Sequence, residues 1–459
     1  MTAIQRSKSV GLDLTEGKIF KSLILFSLPI VLTNLIQQLY SMVDLAIIGH
    51  YVGSVGSVGV ATGGEAADWV TPFAMSLSTA GQIYIAQLYG ARQTQKVKDS
   101  IGTLLTMSIS ASLVLTVVII VFCRPILNLL NCPAEAMGQA ERYMIITAIG
   151  FPFIFGYNAV VGALRGMGES KTPLIFITIA SLINIVADYL LVAVIPMEAA
   201  GTAIATVLSQ FGSFAASFYY MYKNREQFDF ELKRSYFKID GHICKVLTEL
   251  TIPQLARSLF VRFSMSWVNA NVNSYGLTVS ATNSIGTKIQ KFLEVFMQGI
   301  DTACAAMIGQ NLGAKKYDRA RNTVWAALVM CMIVAGISAA VSLMYPKQLM
   351  SLMTNDQDVL DLGVRYFEII SILYFMSAFT ATFQSMVTGC GFVSLGFLIG
   401  FLDAIVCRIG ISEFCMHVLN LGYESYWWGT AFSRFLPGIL CFVYFLSGKW
   451  KTRKLLTEE

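Results

Sequence analysis

The chain is 459 residues long, 55% hydrophobic and only 13% charged, with a formal net charge of +5 and a mean hydropathy of +0.62. Soluble domains carry roughly 25% charge, so lipid rather than water is the solvent for most of this chain. The basic excess does not mark a nucleic-acid binder, because no basic domain stands outside the apolar runs; nine scattered cysteines with no CxxC pair, and three distant histidines (His50, His242, His417), exclude a disulfide framework and a zinc site.

The first twenty or so residues are polar, and the apolar run that follows is too long for a signal-peptide core, so no cleavable leader is expected. Apolar stretches of about 20–30 residues then recur, each long enough to cross a bilayer as a tilted helix. They centre near residues 35, 75, 110, 148, 183, 210, 258, 296, 332, 373, 405 and 437. The second and eighth are interrupted by polar residues and glycines. Strands would need a closed barrel with alternating residues, and these runs do not alternate.

The first span contains LYSMVDLAIIG (39–49), with Asp44 inside an apolar run. A carboxylate there costs about 2.5–3.5 kcal/mol on insertion scales. Asn34, Gln37, Gln38, Ser41 and Asp44 recur at three- and four-residue spacing, which confines them to one arc of roughly 120° on a helix. Between the fourth and fifth spans, GESKT (168–172) has part of a phosphate-loop pattern but not its full spacing, and no soluble α/β domain follows it. The fifth span, SLINIVADYLL (181–191), puts Ser181, Asn184 and Asp188 on one face, and the sixth lines up Thr202, Thr206, Ser209 and Ser213. Small polar residues of this last kind often serve only helix packing.

The second half is charged differently. The seventh span, TIPQLARSLFVRFSMSWVNANV (251–272), has no acid but holds Arg257 and Arg262. The eighth supplies Lys288, Lys291, Glu294 and Asp301, the eleventh Asp403, Arg408 and Glu413, and the twelfth Arg434. The tenth carries Phe375, Phe379 and Phe383 at four-residue spacing, with Met376 and Met386 nearby. Such a stripe can adapt to varied ligands, but core or lipid contact is its ordinary use.

Lys and Arg concentrate in the N-terminal tail, after every second span (Arg92, Lys96 and Lys98, for example, or Lys315, Lys316, Arg319 and Arg321) and in the C-terminal tail. Alternate loops hold little beyond Arg124 and Lys347. This pattern predicts twelve spans with both ends in the cytoplasm. The halves also repeat: IAQLYGARQTQKVKDS (85–100) matches IGQNLGAKKYDRARNT (308–323), GMG (166–168) matches GCG (389–391), GTAIA (201–205) matches GTAFS (429–433), and Pro29 lines up with Pro253. The expected fold is an all-α integral membrane protein of twelve transmembrane helices in two six-helix bundles. Because six is even, the bundles should share one orientation, related by a pseudo-twofold axis along the membrane normal. The expected boundaries are a cytoplasmic tail 1–22, bundles 23–222 and 243–448, a cytoplasmic linker 223–242 and a tail 449–459.

Packed together, the polar stripes of the first half would enclose two carboxylates, a carboxamide and several hydroxyls. Two carboxylates in a poorly hydrated cavity cannot both ionise cheaply. Such a site binds a proton or a sodium ion reversibly. The competing reading makes both acids structural, hydrogen-bonded to Asn184 and hydroxyls.

LTEGKIFKSLILFSLPIVLTNLIQQLYSMVDLAIIGHYVG (14–53) resembles the opening of the multidrug and toxic compound extrusion (MATE) family. QLYGA (87–91), LRGMGESKTP (164–173), INIVADYLL (183–191) and QNLGA (310–314) are similar to later family motifs in order and spacing, over essentially the whole chain. The resemblance implies export of organic compounds in exchange for H⁺ or Na⁺. It also implies a coupling-ion site at the positions of Asp44, Asn184, Asp188 and Thr206, and a helix bend at Pro29; an ordinary proline near a helix start is the alternative. Some relatives keep an essential carboxylate in the seventh helix, which this chain lacks. The expected division of labour gives the coupling ion to the first half. A mixed, net-basic substrate surface falls to the second, drawn from Arg257, Arg262, Lys291, Glu294, Asp301, Asp403 and Arg408. Internal ion pairing, Lys291 with Glu294 for example, or snorkelling at the interface competes with that.

The resulting expectation is a monomeric, ion-coupled antiporter of the bacterial inner or plasma membrane. It would need no cofactor, no resident metal apart from a possible Na⁺, no ATPase subunit and no nucleic acid. Its partners would be the bilayer and a small organic substrate. A flippase for a lipid or lipid-linked saccharide is the alternative; an intramembrane enzyme lacks convergent catalytic groups, and a passive channel has no use for duplicated halves.

Overall fold

The computed structural model describes residues 11–224 and 239–457. Most of the linker 223–242, the first ten residues of the N-terminal tail and the last two of the C-terminal tail lie outside the described residues. Among the described residues there are three short helices (Cys123–Leu129, Pro346–Ser351 and Lys449–Thr452), no strand and twelve long helical rods. In the first half these are α1 (Ile19–Tyr51), α2 (Ser54–Asp68 then Thr71–Gly90), α3 (Thr94–Val121), α4 (Met137–Ile149 then Phe151–Gly166), α5 (Lys171–Asp188, continuing as a π-helical stretch Tyr189–Val194) and α6 (Glu198–Lys223). In the second they are α7 (Gly241–Asn273), α8 (Leu277–Gly313), α9 (Tyr317–Met344), α10 (Gln357–Gly389), α11 (Val393–Phe401, a π-helical Leu402–Ile409, then Gly410–His417) and α12 (Glu424–Ala431 then Phe435–Leu446). The rods fall on the twelve apolar stretches read from the sequence.

Eight rods are each long and apolar enough to cross a membrane, and α4, bent by 44° at Gly150, makes a ninth. Pro152 at the start of the second α4 segment has no N–H to give the turn before it, which accounts for the break. The remaining rods, α2, α7 and α10, carry more polar and charged side chains. The chain is an all-α, multi-pass membrane protein with six rods in each half.

By backbone contact the chain forms two compact units. One holds Leu32–Thr251 and the segment ending at Asp13; the other holds Leu14–Val31 and everything from Ile252 onward. The beginning of α1 therefore packs with the second half, whereas sequence alone assigns it to the first. The reason is apolar burial. Leu14, Leu23, Phe26 and Ile30 share one core with Met297, Ile300, Ala303 and Met307 of α8. Gly299 makes room for this approach, since a Cβ there would sit 3.0 Å from the Val31 backbone nitrogen. Polar contacts fix the entry to α1. Arg319 donates to the carbonyls of Leu14 (3.2 Å), Glu16 (2.5 Å) and Gly17 (2.6 Å), and Lys316 to that of Thr15 (2.9 Å). Pro29 in α1 and Pro253 in α7 each lie inside a helix, two residues from the point where the chain changes unit.

GESKT proves to be a helix start. Glu169 Oε1 accepts from the backbone N–H of Lys171 (2.8 Å) and Thr172 (2.9 Å) and from the Thr172 hydroxyl (3.2 Å), satisfying donors that the first turn of α5 leaves bare. The aromatic stripe of α10 is largely core: Phe383 is fully buried among Phe379, Phe442, Phe445 and Trp325, while Phe375 is exposed.

Candidate functional site

In the first unit, α5 packs on α6, and the first α4 segment packs on both α6 and the start of α2. Ile48, Val52, Val60, Tyr143, Val192, Ala199 and Ala203 form the apolar cluster that joins α1, α2, α4, α5 and α6. Around it sit the predicted polar residues. Asp188 is 1% exposed and Asn184 2%; Asp44 is half-buried. The Asp188 side chain interacts with those of Asp44 and Asn184. Asp44 Oδ1, both carboxyl oxygens of Asp188 and Asn184 Oδ1 have no hydrogen-bond partner among the described residues. Thr147, Ser181 and Thr202 add three more buried, unpartnered oxygens from α4, α5 and α6. Buried polar atoms are hydrogen-bonded in roughly nine cases of ten, so the orphaned oxygens of Asp44, Asn184 and Asp188, whose side chains interact, are an unmet demand for a proton or a hard cation.

The sixth-span stripe resolves into two kinds of residue. Ser209 donates to its own helix at Thr206 O (2.8 Å), and Ser213 to Gln210 O (3.0 Å). Thr202 is fully buried with its hydroxyl uncommitted, and Thr206 is half-buried. The resemblance implies Thr206 as the hydroxyl of the site, and it does not include three neighbours. Tyr40, one turn before Asp44, and Tyr143 on α4 both feel the charges of Asp44, Asp68 and Asp188. Asp68, exposed at the break in α2, is an acid in an apolar region and carried the same signal as Asp44. Tyr143 carried none.

The second unit arranges its charges in two groups. Asp301 and Asp403 lie within electrostatic reach of Arg257, as does Arg434. Gly400 lets α11 approach that point, because a Cβ there would sit 2.6 Å from the Arg257 Cα. Asp403 and Arg408 form a buried ion pair at 3.0 Å, and Arg408 also donates to Ser433 at 3.3 Å. Ser377 donates to Glu294 at 2.9 Å, and Ser385 to Asp301 at 2.5 Å. Internal pairing thus occurs, with Arg408 and Asp403 as its clearest instance. Lys291 is exposed and lines a cavity with Arg408; Arg262 is half-buried. The fifth rod of each half becomes π-helical at a buried acid, Asp188 in α5 and Asp403 in α11. Such turns occur frequently at functional sites.

The chain is similar along nearly its whole length to two Bacillus subtilis proteins. It is 27% identical to the probable multidrug resistance protein YpnP, covering 97% of this chain and 99% of that one. It is 24% identical to the probable multidrug resistance protein YoeA, covering 96% of each. Its fold superposes on a solved MOP superfamily transporter from Pyrococcus furiosus with a TM-score of 0.91, at 18% identity over 97% of this chain and 99% of the other. The MatE family profile matches residues 29–190 and again 253–412, once in each half. The chain therefore belongs to the MATE family of multidrug efflux transporters, and on that ground is a transporter rather than an enzyme.

Proposed function

We propose that the chain is a secondary active antiporter that exports small organic compounds across the cell membrane in exchange for H⁺ or Na⁺. It would act as a monomer with both termini in the cytoplasm. The observation that carries this reading is the carboxyl pair Asp44 and Asp188, which has no basic partner among the described residues and interacts with the Asn184 carboxamide. A proton or a sodium ion taken up there removes the repulsion between the two acids. The packing of α1 against α5 then changes its free energy, and a protein with two conformations shifts toward the one that holds the cation better. Substrate that prefers the other conformation is coupled to the ion through that equilibrium, reciprocally and without sharing a pocket. Asn184 and Thr206 would complete the shell, with Thr202 the more deeply buried hydroxyl of α6. Pro29 would supply the bend in α1.

In the second half, Arg257, Arg262, Lys291, Glu294, Asp301, Asp403 and Arg408 would offer substrate a mixed-charge surface that tolerates zwitterionic or anionic compounds. Matched cationic and anionic dyes test that part: exclusive export of the cation, unchanged in Arg257→Ala and Arg408→Ala, removes it.

Efflux from proteoliposomes under an imposed pH or sodium gradient tests the coupling. Asp44→Asn and Asp188→Asn should each lower gradient-driven efflux at least ten-fold while the protein stays folded by thermal melting. Unimpaired transport by either variant takes that residue out of the coupling role. The gradient that drives the parent protein identifies the ion.

A further inference from the structure

One end of the second unit, where α1 begins, α8 gives way to α9 and α12 stops, is built from three segments on one core. Leu14, Leu312, Ala320, Trp450 and Leu455 all belong to that core. Trp450 is 1% exposed. Its Nε1 donates to Phe445 O at 2.9 Å, and its ring lies parallel to that of Phe445. Gly448, in the left-handed region at φ 67°, turns the chain back after α12. Residues 449–457 are therefore held against the protein, and burying Trp450 and Leu455 leaves Lys449, Lys451 and Lys454 exposed.

Lys18 and Lys21 at the entry to α1, and Arg321 near the start of α9, are exposed as well. None of these six cations is in a salt bridge among the described residues. The acids described on the same three segments are Glu16 and Asp318. The other end of the unit is arranged differently. There Lys347 pairs with Asp361, and Arg365 with Glu368 and Glu424. Like charges gathered without partners repel, and a counter-charge from outside the chain relieves that repulsion.

The rods indicate what carries the counter-charge. Leu25 and Leu28 follow Lys21 at four and seven residues, and both are exposed. Trp325, Val329 and Ile333 follow Arg321 at four-residue steps, exposed likewise. Exposed Ile439, Val443 and Leu446 run along α12 to its last residue, three before Lys449. Residues at these spacings share one side of a helix. Three apolar stripes thus end, at one level, on unpaired cations. A soluble polyanion matches the charge and leaves the stripes in water. A phospholipid matches both, with acyl chains along the stripes and its phosphate at the cations.

We propose that this end of the second unit is a binding surface for anionic phospholipids, and that the docked segment 449–457 presents three of its six cations. The surface works whichever ion the first half exchanges and whichever side of the membrane it faces.

Thermal unfolding of the purified protein is followed in nanodiscs of phosphatidylcholine containing a rising fraction of phosphatidylglycerol. The melting temperature should rise and level off, and high salt should suppress the rise, because exposed charges are screened. A cation close to an anionic surface adds about five-fold in affinity, so the combined replacement Lys449→Gln, Lys451→Gln and Lys454→Gln should raise the half-saturating fraction about ten-fold or more. In phosphatidylcholine alone that variant should melt with the parent, which separates lost lipid binding from lost folding. Lys347→Gln, at the other end of the unit, should keep the parent's half-saturating fraction. Native mass spectrometry should show phosphatidylglycerol retained over phosphatidylcholine by the parent and not by the triple variant. No response to phosphatidylglycerol, an unchanged response in the triple variant, or an equal shift in Lys347→Gln overturns the proposal. So does equal stabilisation of the detergent-solubilised protein by polyglutamate, which would assign the surface to an acidic protein segment.

Discussion

Asp188 and Asp403 are buried acids on the fifth rod of their respective halves, and their neighbours set them different tasks. Asp403 is neutralised in place by Arg408. Replacing it with asparagine would strand a buried guanidinium, and breaking such a pair costs about 3–5 kcal/mol. Asp403→Asn should therefore lower stability by that amount in thermal or chemical unfolding. Asp188 has no such partner among the described residues. Asp188→Asn removes a burden instead of creating one, so its melting temperature should equal or exceed that of the parent even as coupled efflux is lost. The two hydroxyls of α6 separate by the same logic. Thr202→Val should weaken the apparent affinity for the coupling ion several-fold and more than Thr206→Val, measured as the ion concentration that half-saturates efflux. Equal effects would favour the half-buried position. Asp44 and Asp188 stand out in the sequence because an acid in an apolar run is costly wherever it lies. Asp68 was legible by the same rule and was passed over. Tyr143 was not, because a tyrosine on an apolar helix is ordinary until a carboxylate is brought to it.

At the level of elements, local chemistry marks where rods begin and break. Glu169 caps α5, and a short polar motif that suggests nucleotide binding is explained by the donors of one helical turn. Arg319 was read as a topological signal, a cation on the cytoplasmic side. In the fold it also clamps three successive or nearly successive carbonyls ahead of α1. Bonds to a charged group contribute about 1.5–3 kcal/mol each at most, less where solvent competes. Arg319→Ala should thus lower stability by about 1–2 kcal/mol and speed proteolysis between residues 11 and 19 without altering the far half of α1. The prolines of α1 and α7 stand at corresponding places in the repeat, and each lies where its helix passes from one unit to the other. A missing N–H makes that the weakest point of the helical ladder.

At the scale of the molecule, twelve rods in two sequence-related sets of six explain why one family profile matches twice. The charge asymmetry of the loops carries a prediction for the whole chain. In intact cells, single cysteines introduced at Lys315 and Lys454 of a cysteine-free variant should react only with a membrane-permeant thiol reagent. Those introduced at Arg124 and Lys347 should react with an impermeant one. The reverse pattern would invert the orientation and, with it, the direction of the proposed export.

The number and position of the rods, the duplication and the costly acid at Asp44 were determined by the sequence alone, because length, hydropathy and periodicity are properties of a single segment. That Thr202 is more deeply buried than Thr206, that Arg408 pairs with Asp403, that residues 14–31 pack in the second unit, and that Trp427 donates to Asn283 were decided only by tertiary structure. The Arg408–Asp403 pair depends on the π-helical turn within α11; the others depend on what another helix places opposite. A helical wheel gives the direction in which a residue faces, and never what stands opposite.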